Sequence, residues 1–413
     1  MKNNRKKILI SAYACEPNGG SEARIGWNFV KYLSEFHEIW VITRESNRFS
    51  IENNGDEKIV NRVHWLYFDY PKILRYWKRG SKGHRLYYFL WQVGIFFYLK
   101  GIYSREKFDI VHHVTFVNYW QPSFLPFLKN IKFVFGPVGG GEYAPWNMIK
   151  QFPIKELLYE ILRNISKYIN IYNPILRLTS KRTLITIAAN RETAKILSKI
   201  GYTNIHLLTQ VALESSYLEK LESDGNNNDG IFRFISIGRL IHWKGFDMAI
   251  EALMHLKKKN YNFEYYIVGE GPFRKYLEKK VKLLKINEKI KFIGHLNHDN
   301  IFKLLNKCDV LIHPSLHDSG GLVIVEAMGA GKPVICLDIG GPGYLVDKSS
   351  GIKIEVKNRD QVVSDLVKAM CMLIENKLLL KKMGQSAKNK VEKELIWEHK
   401  TQIINEIYFE VFE

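Results

Sequence analysis

The chain has 413 residues, 46% of them hydrophobic, and 61 Lys and Arg against 42 Asp and Glu give it a formal net charge of +19. This is the composition of a soluble globular protein that can bury a full core and is too long for one ordinary domain, so two domains are expected. Its four cysteines, Cys15, Cys308, Cys336 and Cys371, include no C-x-x-C pair, and no His/Cys cluster has zinc spacing, so they read as reduced, mostly buried thiols of a cytoplasmic protein.

In chain order, Met1-Lys-Asn-Asn-Arg-Lys-Lys followed by Ile8-Leu-Ile-Ser-Ala-Tyr imitates a leader peptide for a few residues. The apolar part stops at Cys15-Glu-Pro, too early for a cleavable leader, and Ile8 to Ala14 is predicted as a strand. A turn at Asn18-Gly19-Gly20-Ser21 then opens an amphipathic helix over Glu22 to Phe36. Strands are predicted at Glu38–Thr43, Val63–Phe68, Asp109–His113, Lys132–Phe135 and Leu184–Ala188, with helices between them, including a long one from Ile154 to Tyr168. The polar run Glu222-Ser-Asp-Gly-Asn-Asn-Asn-Asp-Gly230 has nothing to bury and marks a domain junction. A second series follows at Phe232–Ile237, Glu264–Val268, Ile290–Ile293, Val310–His313 and Pro333–Leu337, and Trp397 to Phe412 closes the chain as a helix. The rhythm of both halves is that of a doubly wound parallel α/β sheet.

Between Lys72 and Lys107 lie Lys72, Arg75, Lys78, Arg79, Lys82, Arg85, Lys100, Arg105 and Lys107, with Glu106 the only acid. Tyr76, Trp77, Tyr87, Tyr88, Phe89, Trp91, Phe96, Phe97 and Tyr98 are interleaved with them. Cations mixed with aromatics suit the headgroup layer of an anionic membrane, or single-stranded nucleic acid by stacking. No nucleic-acid module is present, which favours the membrane. A core-packing helix with a solvated basic face is the plain alternative. Phe89 to Leu99 is too short and interrupted to span a bilayer, which takes about 20 apolar residues.

The most informative stretch runs from Pro314 to Gly343. It sets Asp318 and the glycines Gly320 and Gly321 before a helix-like run that carries Glu326. Bare glycines at a helix N-terminus leave backbone N–H groups and a positive dipole end for phosphate. Asp318 is then placed to hold sugar hydroxyls and Glu326 to accept from a ribose, with a diphosphate between them; the plain alternative makes Asp318 a helix cap. Upstream, Gly238-Arg-Leu-Ile-His-Trp-Lys-Gly-Phe-Asp247 follows a strand and precedes a helix. Arg239 and Lys244 therefore project where ligands bind in such folds and can neutralise a leaving diphosphate; the alternative leaves them ordinary surface cations. Val268-Gly-Glu-Gly-Pro272 and Phe292-Ile-Gly-His-Leu296 are strand-ending glycine turns.

The spacing from Asp318 to Glu326 resembles the acid-x7-Glu motif of glycosyltransferase family 4, with Asp318 where Glu is usual and Gly320 where an aromatic is usual. The resemblance implies a GT-B fold, α/β, with two Rossmann-like doubly wound parallel-sheet domains facing a central cleft. The acceptor-binding domain would take residues 1–213 and the nucleotide-sugar domain residues 230–395, with a helix over 396–413 crossing back to the first. It implies a retaining, metal-independent glycosyltransferase of the bacterial polysaccharide type that needs no cofactor. Retention would proceed by front-face displacement, and no carboxylate nucleophile is assigned. The donor, UDP-sugar by frequency with GDP- and dTDP-sugars open, would meet Gly19, Gly20, Gly238, Arg239, Lys244, Gly269, Gly271, Ile293, Ser319, Gly320, Gly321, Leu322, Val323 and Glu326. Asp318, Arg239, Lys244 and His113 would be catalytic. The loop Gly136-Pro-Val-Gly-Gly-Gly-Glu142 follows a strand; its successive glycines let the backbone approach a ligand, so Gly140, Gly141 and Glu142 are candidates to face the acceptor, and a flexible turn with a solvated acid is the plain alternative. The family's His-bearing loop has its counterpart at Asp109-Ile-Val-His112-His113, where His113 is expected to face the cleft and His112 to sit in the core.

The basic, aromatic stretch of the first domain suits a polyprenyl-linked glycan acceptor of capsule, O-antigen or exopolysaccharide assembly. The protein is accordingly expected in the cytoplasm, peripheral on the inner face of the membrane, with no nucleic-acid partner. A nucleotide-sugar epimerase of the same fold and a catalytically silent polymer- or membrane-binding relative are the rival readings.

Overall fold

The structure, a computed structural model, describes residues 5–78, 83–103, 105–221 and 229–412. Met1 to Asn4, Arg79, Lys82 and the junction residues Glu222 to Asn228 therefore lie outside the described residues. Two compact units emerge, one of Met1–Gly141, Ser166–Gln210 and Thr401–Glu413, the other of Glu142–Ile165 and Val211–Lys400.

The first unit holds a seven-stranded sheet. Its strands are β1 (Lys7–Ser11), β2 (Glu38–Thr43), β3 (His64–Tyr67), β4 (Ile110–His113), β5 (Phe133–Val138), β6 (Ile185–Ala188) and β7 (Ile205–Leu207), in the order β3-β2-β1-β4-β5-β6-β7. Every neighbouring pair is parallel. Ile8, Leu9 and Ile10, the apolar core of the leader-like start, are fully buried in β1 between β2 and β4. The second unit holds six parallel strands, β8 (Phe232–Ile237), β9 (Phe263–Val268), β10 (Ile290–Gly294), β11 (Val310–His313), β12 (Val334–Leu337) and β13 (Gly351–Ile354), ordered β10-β9-β8-β11-β12-β13. Strands buried on both faces must be apolar nearly throughout, which is why they stand out as short hydrophobic runs in the sequence. In the second sheet the order turns outward on either side of the β8–β11 pair. The carboxyl ends of those two strands are thus the switch point at which such sheets bind ligands.

Residues 142–165, expected within the first domain, pack instead with the second unit, where Ala144, Met148 and Ile149 join the core. Thr401–Glu413 group with the first unit; there the Tyr408 hydroxyl lies 2.6 Å from His112 Nδ1 and Lys132 Nζ donates to the Val411 carbonyl at 2.9 Å.

The aromatic run is corrected in part. Tyr87, Tyr88 and Trp91, on the helix His84–Tyr103, are buried in the core of the first unit, so they are packing residues and cannot meet a headgroup layer. Arg75 is paired with Asp69 at 3.2 Å. Tyr76 and Phe97 remain exposed. All four cysteines are buried and free. Among the described residues no helix is long and apolar enough to cross a membrane.

One cap governs a helix that braces the ligand edge. Asn358 Oδ1 accepts from Gln361 N at 3.0 Å and starts the helix Arg359–Glu375, whose buried Arg359 holds Asp247 and Glu251 at 2.6 and 2.9 Å. Asn358→Ala is expected to cost about 1 kcal/mol of stability, read as a lower urea midpoint with an unchanged slope.

Candidate functional site

Lys244, Asp318 and His313 meet at the carboxyl ends of β8 and β11. Lys244 Nζ donates to Asp318 Oδ2 at 2.6 Å, and His313 Nε2 lies 2.9 Å from the same oxygen. The local backbone explains the convergence. After β8 the chain leaves through Gly238 and makes a 3-10 turn over His242–Lys244, then reaches Gly245 with φ +69°. A Cβ on Gly245 would stand 2.1 Å from the Pro314 carbonyl, so only glycine lets the two loops touch here. Leu316 N donates to the Trp243 carbonyl at 2.8 Å and ties them further. Burial alone would raise the Asp318 pKa, but the Lys244 charge and the His313 hydrogen bond outweigh it and hold the carboxyl well below its usual range. Burial lowers the pKa of His313, which is enclosed in β11. Asp318 is therefore a carboxylate at neutral pH, bonded by Lys244 and by an imidazole that donates into it.

The helix Leu322–Gly329 is capped by Gly321, at φ +88°, with no side-chain hydrogen bond. Asp318 turns to Lys244 and does not cap it, so the capping alternative falls, as does the reading of Lys244 as an ordinary surface cation. Ile324 N is the first to donate back, to the Gly321 carbonyl at 2.9 Å, which leaves the Leu322 and Val323 N–H groups at the helix mouth outside the helical ladder. Ser319 and Gly320 form the approach, and Gly341 N donates to the Asp318 carbonyl at 2.8 Å to fix it. Glu326 is buried on this helix, with Oε1 3.4 Å from His298 Nδ1. Arg239 is exposed at the end of β8. Gly269 (φ +132°) and Gly271 lock the neighbouring strand ends, since a Cβ on either would meet the Gly238 or Leu240 carbonyl within 2.3 Å. Ile293, near the end of β10, is exposed.

In the first unit Gly20 caps the helix Ser21–Leu33 with no side-chain bond, and the space around its Cβ direction is open, whereas Gly19 packs on Ala23. His112 has both nitrogens engaged, with Tyr408 and with the Gly136 carbonyl at 2.8 Å. His113 is equally buried, its Nε2 2.9 Å from the Tyr88 hydroxyl and 3.3 Å from Gln92 Nε2. Burial lowers both imidazoles to about 3. The room left by Gly140 and Gly141 is filled by the chain itself: a Cβ would stand 2.3 Å from the Trp120 ring in one case and 2.4 Å from Thr193 Cα in the other. Glu142 is buried in the second unit, where its Cγ lies 2.7 Å from the Cβ position of Gly340, beside the Asp318 loop.

Sequence reasoning missed the support beneath these loops. Glu160, fully buried on the helix Ile154–Ile171, accepts from His242 Nε2 at 3.1 Å and from His317 Nε2 at 2.8 Å. One histidine sits two residues before Lys244 and the other directly before Asp318, so a single carboxylate ties both loops to one helix. Burial opposes its charge, yet the two imidazole N–H bonds prevail and bring its pKa down to about 2. Tyr159 stacks on Trp243 with ring centroids 5.7 Å apart. The available signal was a pair of unassigned histidines inside the motifs, His242 and His317, for which the sequence offered no partner.

Comparison with known proteins fits this geometry. Residues 219–390 match the family of glycosyl transferases group 1. An uncharacterized glycosyltransferase of Methanocaldococcus jannaschii is 30% identical over 194 residues, 47% of this chain and 51% of that protein. The chain thus spans about half the length of that curated relative, and less of others that it matches. Among solved structures, a glycosyltransferase from Rickettsia africae superposes with a TM-score of 0.66 at 19% identity, covering 100% of both chains. Anabaena HepE in complex with UDP and glucose gives 0.61 at 17%, covering 98% of this chain and 99% of that one. Residues 219–390 therefore carry a glycosyl transferases group 1 domain, and the chain has the GT-B fold.

Proposed function

We propose that the chain transfers a sugar from a nucleoside diphosphate sugar to a hydroxyl of a glycan acceptor, with retention at the anomeric carbon and without a metal. The observation that carries this reading is the Lys244–Asp318–His313 cluster, set beside the mouth of the Leu322–Gly329 helix, where no side chain caps the backbone N–H groups. An ammonium has three N–H donors, so Lys244 can keep Asp318 and still take a phosphate oxygen. Arg239 and the Leu322 and Val323 N–H groups supply further positive ends for the diphosphate. Asp318 holds the sugar and Glu326 the ribose, and the exposed Ile293 lies against the base. The acceptor oxygen forms its bond to the anomeric carbon as the bond to the diphosphate breaks, and the hydroxyl proton passes to the departing phosphate oxygen. Retention and a same-face path rest on resemblance to family 4.

UDP is the favoured nucleotide; HepE, of the same fold, was crystallised with UDP and glucose. For the acceptor we favour a polyprenyl-linked glycan of capsule, O-antigen or exopolysaccharide assembly, met at the inner face of the membrane. Glu142, beside the Asp318 loop, is the candidate to orient its hydroxyl. The burial of His113 and its bond to Tyr88 favour a positioning use for that imidazole.

A thermal-shift panel of UDP-, GDP- and dTDP-sugars in metal-free buffer tests the reading. At about 100 times its dissociation constant the right donor adds about 2.7 kcal/mol. One nucleotide should stabilise the wild type and neither Glu326→Ala nor Lys244→Ala. No response from any donor would sink the reading in favour of a silent relative, and a changed sugar formed without acceptor would favour an epimerase.

A further inference from the structure

The helix His84–Tyr103 of the first unit has two apolar faces, and the core takes up one of them. Tyr87, Tyr88, Trp91, Ile95 and Leu99 are buried there. On the opposite side Leu86, Leu90, Val93 and Phe97 recur at steps of four, three and four residues, which is one face of a helix. Leu86 and Phe97 are 57% and 64% exposed. A helix that is apolar on both sides belongs in a core or against lipid, and a contiguous exposed apolar face marks an interaction site. Two loops widen this one. The Tyr70 hydroxyl donates to the Leu90 carbonyl at 3.1 Å and seats the 68–78 stretch beside the helix, where Ile73, Leu74 and Tyr76 are exposed. Along the flank that carries Phe89, Phe124 meets that ring edge-on with centroids 5.6 Å apart, and Gln121 Nε2 donates to the Arg85 carbonyl at 3.5 Å. The charges here are of one sign. The sequence has no Asp or Glu from 70 to 105 or from 110 to 141, and Asp69 is buried against Arg75. Lys100 continues the exposed stripe three residues beyond Phe97, Arg85 shares the flank of Phe89, and Lys72 lies on the adjoining loop; all three cations are exposed.

We infer that the outer face of the His84–Tyr103 helix docks on an anionic lipid bilayer. Leu86, Leu90, Phe97 and Ile73 enter the boundary of the acyl chains, while Lys72, Arg85 and Lys100 reach the headgroup phosphates. Twenty residues make about 30 Å of helix, long enough to lie along the interface. Other occupants fit less well. Two copies of this face would set Lys72, Arg85 and Lys100 against their own equivalents, with no exposed carboxylate to receive them. A soluble polyanion would take the cations and leave Leu86, Leu90 and Ile73 in water, since an aliphatic chain offers no ring for a base to stack on. The membrane contact expected of this stretch thus keeps its place and changes its residues: Tyr87, Tyr88 and Trp91 are spent on the core, and the aliphatic, cationic outer side makes the contact. The proposal rests on the membrane-side acceptor reading and deepens it. Lipid binding is read without donor or turnover, so its failure and that of the transferase reading are separable.

The test is co-sedimentation with vesicles of phosphatidylglycerol and phosphatidylcholine, against phosphatidylcholine alone, at low and high salt. The wild type should bind the anionic vesicles and be released from them by salt. Leu86→Glu/Phe97→Glu should lower the partition coefficient at least about tenfold, since each position loses its apolar insertion and brings a charge that the lipid repels. Arg85→Gln/Lys100→Gln should also lower it at least about tenfold, at roughly fivefold for each cation near an anionic surface. Lys275→Gln/Lys279→Gln removes the same charge from exposed lysines of the second unit and should bind as the wild type does. All three variants should keep the wild-type far-ultraviolet spectrum and melting temperature. Binding that neither face variant diminishes would overturn the proposal, and so would an equal loss in all three, the mark of net charge alone. A wild type that binds no vesicle would overturn it as well. Light scattering that then finds a dimer dispersed by Leu86→Glu/Phe97→Glu would give the face to a second copy, and capture by a single-stranded oligonucleotide, lost in Arg85→Gln/Lys100→Gln, would give it to a polyanion.

Discussion

Lys244→Met is expected to lower turnover about 10²–10³-fold at saturating donor, the loss found when one preorganised donor to a developing oxyanion is removed. The structure sharpens the expectation, because in the proposed reaction the ammonium would serve two anions. It already holds Asp318 at 2.6 Å, and its charge is the leading influence that overcomes burial to keep that carboxyl ionised. Without it, Asp318 keeps, among the described residues, the His313 side chain at 2.9 Å, so its pKa must rise toward the ordinary value or beyond. The variant should therefore show two changes. The first is a fall in kcat larger than the rise in donor KM, since charge builds on the diphosphate as its bond breaks. The second is an acidic limb of the rate profile moved to higher pH, because Asp318 then takes up its proton earlier. A Lys244→Met enzyme with wild-type kcat would remove the lysine from the reaction, and one with lower kcat but an unmoved acidic limb would separate it from Asp318.

The sheets were legible because their strands are buried on both faces. Runs such as Ile8-Leu9-Ile10 and Val310-Leu311-Ile312 have no polar residue to blur them. The two strands that were missed, Ile205–Leu207 and Gly351–Ile354, lie at sheet edges and read as IHL and GIKI, with too little apolar pattern in too few residues. In the site, the partners Lys244 and Asp318 stand 74 residues apart, and each was visible from its own local motif as a charge beside a glycine turn that follows a strand. Their direct bond was not visible, since a long-range contact leaves no periodicity. The glycines misled in one place. Gly140 and Gly141 are bare because Trp120 and Thr193 occupy the space, and a sequence does not say whether the neighbour of a glycine is ligand or protein. The aromatic run misled for a related reason: composition mixes the buried Trp91 with the exposed Phe97, and only packing sorts them.

The least legible element, Glu160, is expected to have the largest effect on stability. Glu160→Ala removes one partner from a buried hydrogen-bonded charge cluster and should cost about 3–5 kcal/mol. It leaves His242 and His317 facing a void, and through them loosens the loops that carry Lys244 and Asp318. Glu160→Gln keeps the shape and one acceptor oxygen, so it should cost less and retain more of the donor-induced thermal shift. The pH dependence separates the two terms. The folded-state pKa of Glu160, about 2, lies below the ordinary carboxylate value of about 4.3, so its contribution is complete above that value and is lost as pH falls toward 2. A shift of that size corresponds to about 3 kcal/mol. His317, pushed below its ordinary value by burial, also favours the folded state above about 6.5 and withdraws that support as pH falls. Urea denaturation from pH 7 downward should thus show both proteins losing stability first on the histidine limb, with the wild type alone losing the further portion between about 4.3 and 2. Parallel curves over that lower window would mean that Glu160 is not ionised in the fold, and the two loops would then be held by packing, Tyr159 on Trp243 foremost.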